Sequence, residues 1–432
     1  VVRHGHVVAE AWWRPFSRDR VHLLYSLSKS FTSAAAGLAQ AEGLLDMDAT
    51  VLSCFPELDG TVVDPRSRAM RVRDIAAMAS GHLLDTADVA LPAADPIRAF
   101  LSIPPKRVPG TFFAYNQLCT YTLAAIIQDR AGVPLTEYLR PRLFEPLGIV
   151  AGRWWEHPSG REVGYSGLHL TTESIAAFGQ CLLDGGRFGG RQVLPPSWVE
   201  EASRVHVATP GTEAEPHGAD WAQGYGMQFW RSRHGFRGDG AFGQFCVVVP
   251  ESDLVVATTA ATPNMPALLA AVWDHILPAL EDAPLPAGND DEALRARLAG
   301  AHLPAVPQGG ADALPSKLHL AVTGRDRLRG LGGATLCRDG GAWMLELEGS
   351  DGHVRADVGI GGWRVTDPGD GTTPVAVSAG SPSPGVVRVD VLFLETPHRL
   401  RLEGPVRSGG LRASWTCALL GDASLRSCSV GA

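Results

Sequence analysis

The hydrophobic periodicity of this chain changes character along its length, and those changes limit the folds open to it. "VVRHGHVVAEAWW" alternates as an N-terminal strand or hairpin around Gly5 should. From Ser26 the apolar residues recur at helical spacing until Gly43. Helical stretches follow in "VRDIAAMASG", "TYTLAAIIQDRAG", "LTEYLRPRLFEPLGI" and "TTESIAAFGQCLLDGG". Gly81 and Gly132 stop the first two; Thr171 or Thr172 is the N-cap of the last, with Glu173 in its first turn. Then "GYGMQFWRS" and "QFCVVVPESDLVVATTA" read as strands, and "MPALLAAVWDHILPAL" as a closing helix. Strands at both ends around a helical insertion predict an α+β domain over residues 1–282, its sheet built from both ends of the segment.

Residues 283–300 are Pro-, Gly- and acid-rich at first and are expected to be a linker. Residues 301–432 give short alternating runs split by Gly, Asp and Pro, among them "AWMLELEG", "VVRVDVLFLE" and "HRLRLEG". That texture predicts a small all-β barrel or sandwich. Val387, Val389, Val391 and Phe393 alternate with Arg388, Asp390 and Leu392 as a half-buried strand does.

The net charge of −8 over 432 residues argues against a nucleic-acid surface. No apolar run reaches the roughly 18–20 residues that a membrane span needs. The seven cysteines are scattered with no CxxC, which suits reduced thiols and a cytoplasmic setting better than disulfides or zinc. Oligomeric state is left open.

Among 38 basic residues only Lys29, Lys106 and Lys317 are lysines. Lys29 stands three residues after Ser26 in "YSLSKSFTSAAAG", so on a helix the two side chains share one face. A serine hydroxyl is a poor nucleophile until a base takes its proton. Lysine can be that base only when neutral, which requires lowering its pKa by ~3 units. Arginine cannot serve, because it does not deprotonate. The same four residues also suit a Ser cap with a solvated Lys, so their surroundings must decide.

Those surroundings resemble the superfamily of class C β-lactamases and penicillin-binding proteins. The likeness runs through "LYSLSKSFTSAAAGLAQAEGLLDMDATVLSCFPEL", "RVRDIAAMASGH", "PGTFFAYNQLCTYTLAAIIQDRAG", "YLRPRLFEPLGI", "GYSGLHLTTESIAAFGQCLLDGG" and "YGMQFW". It implies a β-lactamase/transpeptidase-like domain, with an antiparallel sheet flanked by helices plus an all-helical region. It also implies a cofactor-free serine hydrolase with Ser26 acylated and Lys29 as its proton partner. Its substrate would be a small-molecule or peptide ester or amide. Transfer of the acyl group to an alcohol or amine, or slow penicillin-binding-type acylation, are the alternatives.

The second motif of that family is Tyr-x-Asn and reads here Tyr115, Asn116, Gln117, with Tyr115 as proton relay. Lys29 is the cation expected to bring the Tyr115 phenol into a useful range. Gln117 replaces the usual Asn, lengthening the reach toward substrate or Lys29, while Asn116 points away into a capping role. The third motif falls on Gly238, Asp239 and Gly240, with the Ala241 N–H joining that of Ser26 as an oxyanion hole. The basic residue usual there is missing, which disfavours β-lactams; His234 and Arg237 precede it as possible compensation. Some members of that superfamily carry a lipocalin-like barrel after the catalytic domain, and residues 301–432 are similar to it in texture, though no motif matches there.

Other patterns are weaker. "GDGAFG" fits a dinucleotide loop, but a strand follows it instead of a helix. His4 and His6 have metal-like spacing without further ligands, so no metal is expected. "GYSGL" around Ser166 falls short of a nucleophile elbow. Trp154 and Trp155, and Phe112 and Phe113, read as core packing.

Overall fold

The structure is a computed structural model. It describes residues 1–150, 152–209, 218–283, 285–286, 288–309, 317–322, 331–349, 352–368, 373–406, 410–417 and 419–420. The chain forms two units: Val1–Ala9, Leu23–Thr259 and Asn264–Ala283 make one, and Glu10–His22, Ala260–Pro263 and Pro284–Ala432 the other.

The first unit holds a six-stranded antiparallel sheet in the order His6–Val7, Val2–Arg3, Leu254–Thr258, Gln244–Val249, Phe236–Gly240, Trp230–Arg231. The N-terminal hairpin therefore joins strands from the far end of the unit, pairing Val2 with Val255. Gln244–Val249 is buried at all six positions because both faces of the sheet are covered. Cys246 and Val248 face one hydrophobic core with Ile175 and Phe178 of the Thr172–Leu183 helix. Phe245, Val247 and Val249 face another with Leu269 and Trp273. The pleat separates these two sets.

The helical insertion surrounds the Ser28–Ala41 helix, whose residues from Ser28 to Ala39 are buried. Its buried polar groups are tied down individually: Ser30 Oγ donates to Gln228 O at 3.1 Å, Thr32 Oγ1 to Gly164 O at 2.9 Å, and Ser33 Oγ to Met227 O at 2.6 Å. Those bonds offset the cost of burying hydroxyls. The Gln117–Ala131 helix packs beside it and stops at Gly132, whose φ of 71° suits glycine.

Several elements are shorter or different than their periodicity suggests. Val72–Ala76 is one short helix, and Met78 follows at φ 57°. Leu135–Leu139 opens into a wider turn over Arg140–Phe144, where Pro141 lacks an N–H for the regular ladder. "GYGMQFWRS" forms a strand only at Trp230–Arg231, since Gln228 at φ 65° breaks the extended run. The expected linker contains a helix, Asn289–Ala299, with no buried residue; Asp290, Asp291 and Glu292 in its first turn favour the helix dipole.

The second unit carries a curled nine-stranded sheet. Its strands run Gly352–Ile360, Ala342–Gly349, Leu331–Asp339, Lys317–Val322, Gly410–Trp415, Arg399–Pro405, Val386–Phe393, Val375–Gly380, Arg364–Thr366. Gly352–Ile360 also pairs with Val375–Gly380. Val387, Val389, Val391 and Phe393 point into one core with Leu400 and Leu402, as their alternation predicts. On the other face Asp390 accepts from Arg399 and Arg401. Among the described residues no helix is long and apolar enough to cross a membrane.

Candidate active site

The chain enters the Ser28–Ala41 helix through a tight turn, Tyr25–Leu27. Leu24 N–H donates to Leu168 O at 2.9 Å and Leu168 N–H donates back to Ser28 Oγ at 3.1 Å, fixing this turn against the 164–168 loop. Tyr25 takes a positive φ of 48°, which is costly for a non-glycine residue. Its ring lies edge-on to Phe242 and Trp155.

Lys29 Nζ is 3.0 Å from Ser26 Oγ, as the i, i+3 spacing predicts. Its other two partners are Gln117 Oε1 at 2.7 Å and Tyr165 O at 2.9 Å. Lys29 is 1% exposed. Burial lowers its pKa to about 7, against the opposing pull of Asp85 and then Asp239. An ammonium can donate to all three oxygens. After losing a proton it has two donors and one lone pair. Gln117 Oε1 and Tyr165 O can only accept, so the lone pair is left facing the Ser26 hydroxyl. That is the arrangement of a general base on a nucleophile.

Tyr115 stands just before the Gln117–Ala131 helix and shares a hydrogen bond with Ser26. Lys29 Nζ lies 4.8 Å from its ring centre. The ring stacks on Trp230 at 5.7 Å and 17°, and Tyr225 meets it edge-on. Burial is the largest influence on the phenol and pushes its pKa up. The expectation that Lys29 brings the phenol into a useful range is therefore corrected: burial outweighs any help from Lys29, and Tyr115 stays protonated. Asn116 is fully buried and caps the helix, its Oδ1 accepting from Leu118 N–H at 3.0 Å.

Gly240 lies against the serine turn, since a Cβ there would fall 2.1 Å from Leu24 O and 3.1 Å from Leu27 N. A Cβ on Gly238 would come within 2.4 Å of the Leu27 side chain. These glycines bring the end of the strand against the Tyr25–Leu27 turn that carries Ser26. Asp239 is bound to Arg237, Nε to Oδ2 at 2.9 Å. Arg237 has no exposed surface; it also donates to Asp220 O and Ser232 Oγ and lies 4.5 Å from the Trp221 ring. His234 packs on Trp273. Arg237 thus neutralises Asp239 within the fold and is not a free anion-binding group.

Tyr165 and Asp85 were not singled out from the sequence. Tyr165 acts through its carbonyl oxygen, which any residue type supplies; the only local sign was the pair of glycines in "GYSGL". Trp155, half-buried over Tyr25, borders the site, whereas Trp154 is core. Phe113 packs on Trp230 and Tyr225. His4 is bound to Asp253, and among the described residues no group of three or more His, Cys, Asp or Glu could hold a metal.

A sequence model of the family described as Beta-lactamase matches residues 1–281. The 6-aminohexanoate-dimer hydrolase of Paenarthrobacter ureafaciens is 27% identical over 289 residues, covering 61% of this chain and 72% of that protein. The lovastatin esterase of Penicillium rubens is 26% identical over 198 residues, covering 40% of this chain and about half, 49%, of that protein. A solved structure from Bacillus anthracis, described as a 6-aminohexanoate-dimer hydrolase, superposes with a TM-score of 0.51 at 23% identity, over 66% of this chain and 79% of that one. That structure speaks for the fold alone.

Proposed function

We propose, for a chain that belongs to the Beta-lactamase family and is a serine hydrolase, that it works through an acyl group carried on Ser26. Neutral Lys29 takes the Ser26 proton as Oγ attacks the substrate carbonyl. The N–H groups of Ser26 and Ala241 hold the oxyanion, with Gly240 allowing the close approach. Tyr115 gives its proton to the leaving group and regains one from the Lys29 ammonium, so acylation leaves Lys29 neutral. Water then enters. Lys29 takes its proton through Tyr115 and passes it to Ser26 Oγ as the C–O bond to Ser26 breaks and the acid is released, leaving Lys29 neutral and Tyr115 protonated.

One observation carries this reading: of the three groups around Lys29 Nζ, only the Ser26 hydroxyl can donate to it. Relatives named as a dimer hydrolase and an esterase support an amide or ester as substrate. Asp239, tied to Arg237 where a free basic residue is usual, argues against carboxylate-bearing β-lactams. An alcohol or amine replacing water would make the same intermediate a transferase. The second unit is read as a lipocalin-like barrel, since Gly352–Ile360 is paired along both edges.

The test is turnover of a short-chain p-nitrophenyl ester by wild type and Ser26→Ala, with and without added alcohols and amines. Turnover confined to wild type supports the reading. New esters or amides among the products mark a transferase. Equal rates in both proteins remove Ser26 as nucleophile.

A further inference from the structure

Asp85 sits on the exposed side of this site and has no part in the mechanism above. Its Oδ1 is held in place by two backbone donors, Gln117 N–H at 3.0 Å and Ala87 N–H at 3.1 Å. Gln117 is the residue whose side chain holds Lys29. One carboxylate oxygen is thus spent on the backbone, and the group is fixed one residue away from the catalytic lysine.

Its charge is not cancelled nearby. Among the described residues Asp85 enters no ion pair, whereas Asp239 is paired with buried Arg237. When Lys29 is neutral, Asp85 leaves the site with a negative charge. Beside the site the half-buried Tyr115 ring stacks on Trp230 and Phe113 meets Trp230 edge-on, a wall with no charge of its own.

Resting on the acyl-Ser26 reading, we propose that Asp85 is the specificity-determining residue of this site, and that it selects acyl donors carrying an ammonium-type cation in the part bound beside Gln117. A substrate carboxylate there meets a like charge, and a cation meets an opposite one. The cation also opposes protonation of Lys29, so binding favours the form of the enzyme that reacts. A mere binding preference would lack that second consequence.

The experiment compares two p-nitrophenyl esters of one shape, ending in trimethylammonium or in tert-butyl, together with a carboxylate analogue. Wild type is expected to favour the cationic ester over the neutral one by about fivefold in kcat/KM. The ratio falls toward one in Asp85→Asn, which keeps the oxygen that accepts from Gln117 and Ala87. It falls likewise in wild type as salt rises, a reading independent of whether the variant folds. The acid limb of kcat lies lower for the cationic ester than for the neutral one. A ratio unchanged by both Asp85→Asn and salt, or a preference for the carboxylate ester, overturns the assignment. Activity surviving in Ser26→Ala instead rejects the reading on which it rests.

Discussion

Lys29 Nζ lies 2.7 Å from Gln117 Oε1, an acceptor contributed by a different helix. With the Tyr165 carbonyl, this contact uses up the two protons of a neutral amine. The one lone pair is then directed by exclusion at Ser26. Gln117, where the family pattern has Asn, reaches Lys29 directly, so the extra methylene serves the lysine.

Replacing Lys29 by Arg keeps the charge and removes the base. Arginine has no accessible neutral form. Lys29→Arg is expected to lower kcat/KM by roughly 10²–10⁴-fold, the usual range for loss of a general base. Ester turnover with circular dichroism as a fold control checks this. Activity within a few-fold of wild type would show that Lys29 acts only as a charge.

The lysine pKa also sets a pH dependence. Activity is expected to rise through about pH 7 as Lys29 becomes neutral. The folded pKa lies below the ordinary value of 10.5, so between about 7 and 10.5 the unfolded chain binds the extra proton. The contribution of Lys29 to stability is therefore lowest below pH 7 and rises across that window. The melting-temperature difference between wild type and Lys29→Met, measured from pH 6 to 10, should shift in favour of wild type. A flat difference would mean that Lys29 is not displaced from its ordinary value.

Tyr115→Phe separates chemistry from packing. The ring keeps its stacking on Trp230 and its edge contact with Tyr225, while the donor to the leaving group is lost. Stability is expected to change little and kcat to fall roughly 10²–10⁴-fold. In the acylation step, read as the rate of the first turnover and so separate from the later attack of water through Tyr115, the loss should shrink for esters whose leaving group needs no proton, such as p-nitrophenolate, relative to alkyl esters. Equal losses for both would assign Tyr115 another task.

Gly240→Ala tests the approach of the strand to the serine turn. The new methyl would fall 2.1 Å from Leu24 O, so backbone must move. A cost of about 1–3 kcal/mol is expected from overpacking, with a loss of activity larger than the loss of stability explains. Urea denaturation and kcat on the same sample decide; a stable, fully active variant would place Ala241 outside the oxyanion hole.

What was legible in the sequence was local. Ser26 and Lys29 are one helical turn apart, and Tyr115 stands beside a capping Asn116, so spacing and motif find them. The sheet built from both chain ends followed from where strand texture begins and resumes. Tyr165 and Asp85 escaped because the first works through its carbonyl and the second through a loop held by Gln117 N–H, neither of which leaves a periodic trace. Gln228 reads as strand, yet its buried side chain accepts from Thr120 and donates to Ala76 O, so tertiary bonds override the extended preference. Arg237 was expected as a possible anion-binding residue, and its burial beside Asp239 could only be seen once the fold was known.

The central claim is that the acyl group travels on Ser26. Intact-protein mass spectrometry of samples quenched during turnover of a slow ester tests it most directly. The account predicts an acyl adduct on wild type that maps to the peptide containing Ser26, disappears as substrate is exhausted, and is absent from Ser26→Ala. An adduct on any other residue, or sustained turnover by Ser26→Ala, would contradict it.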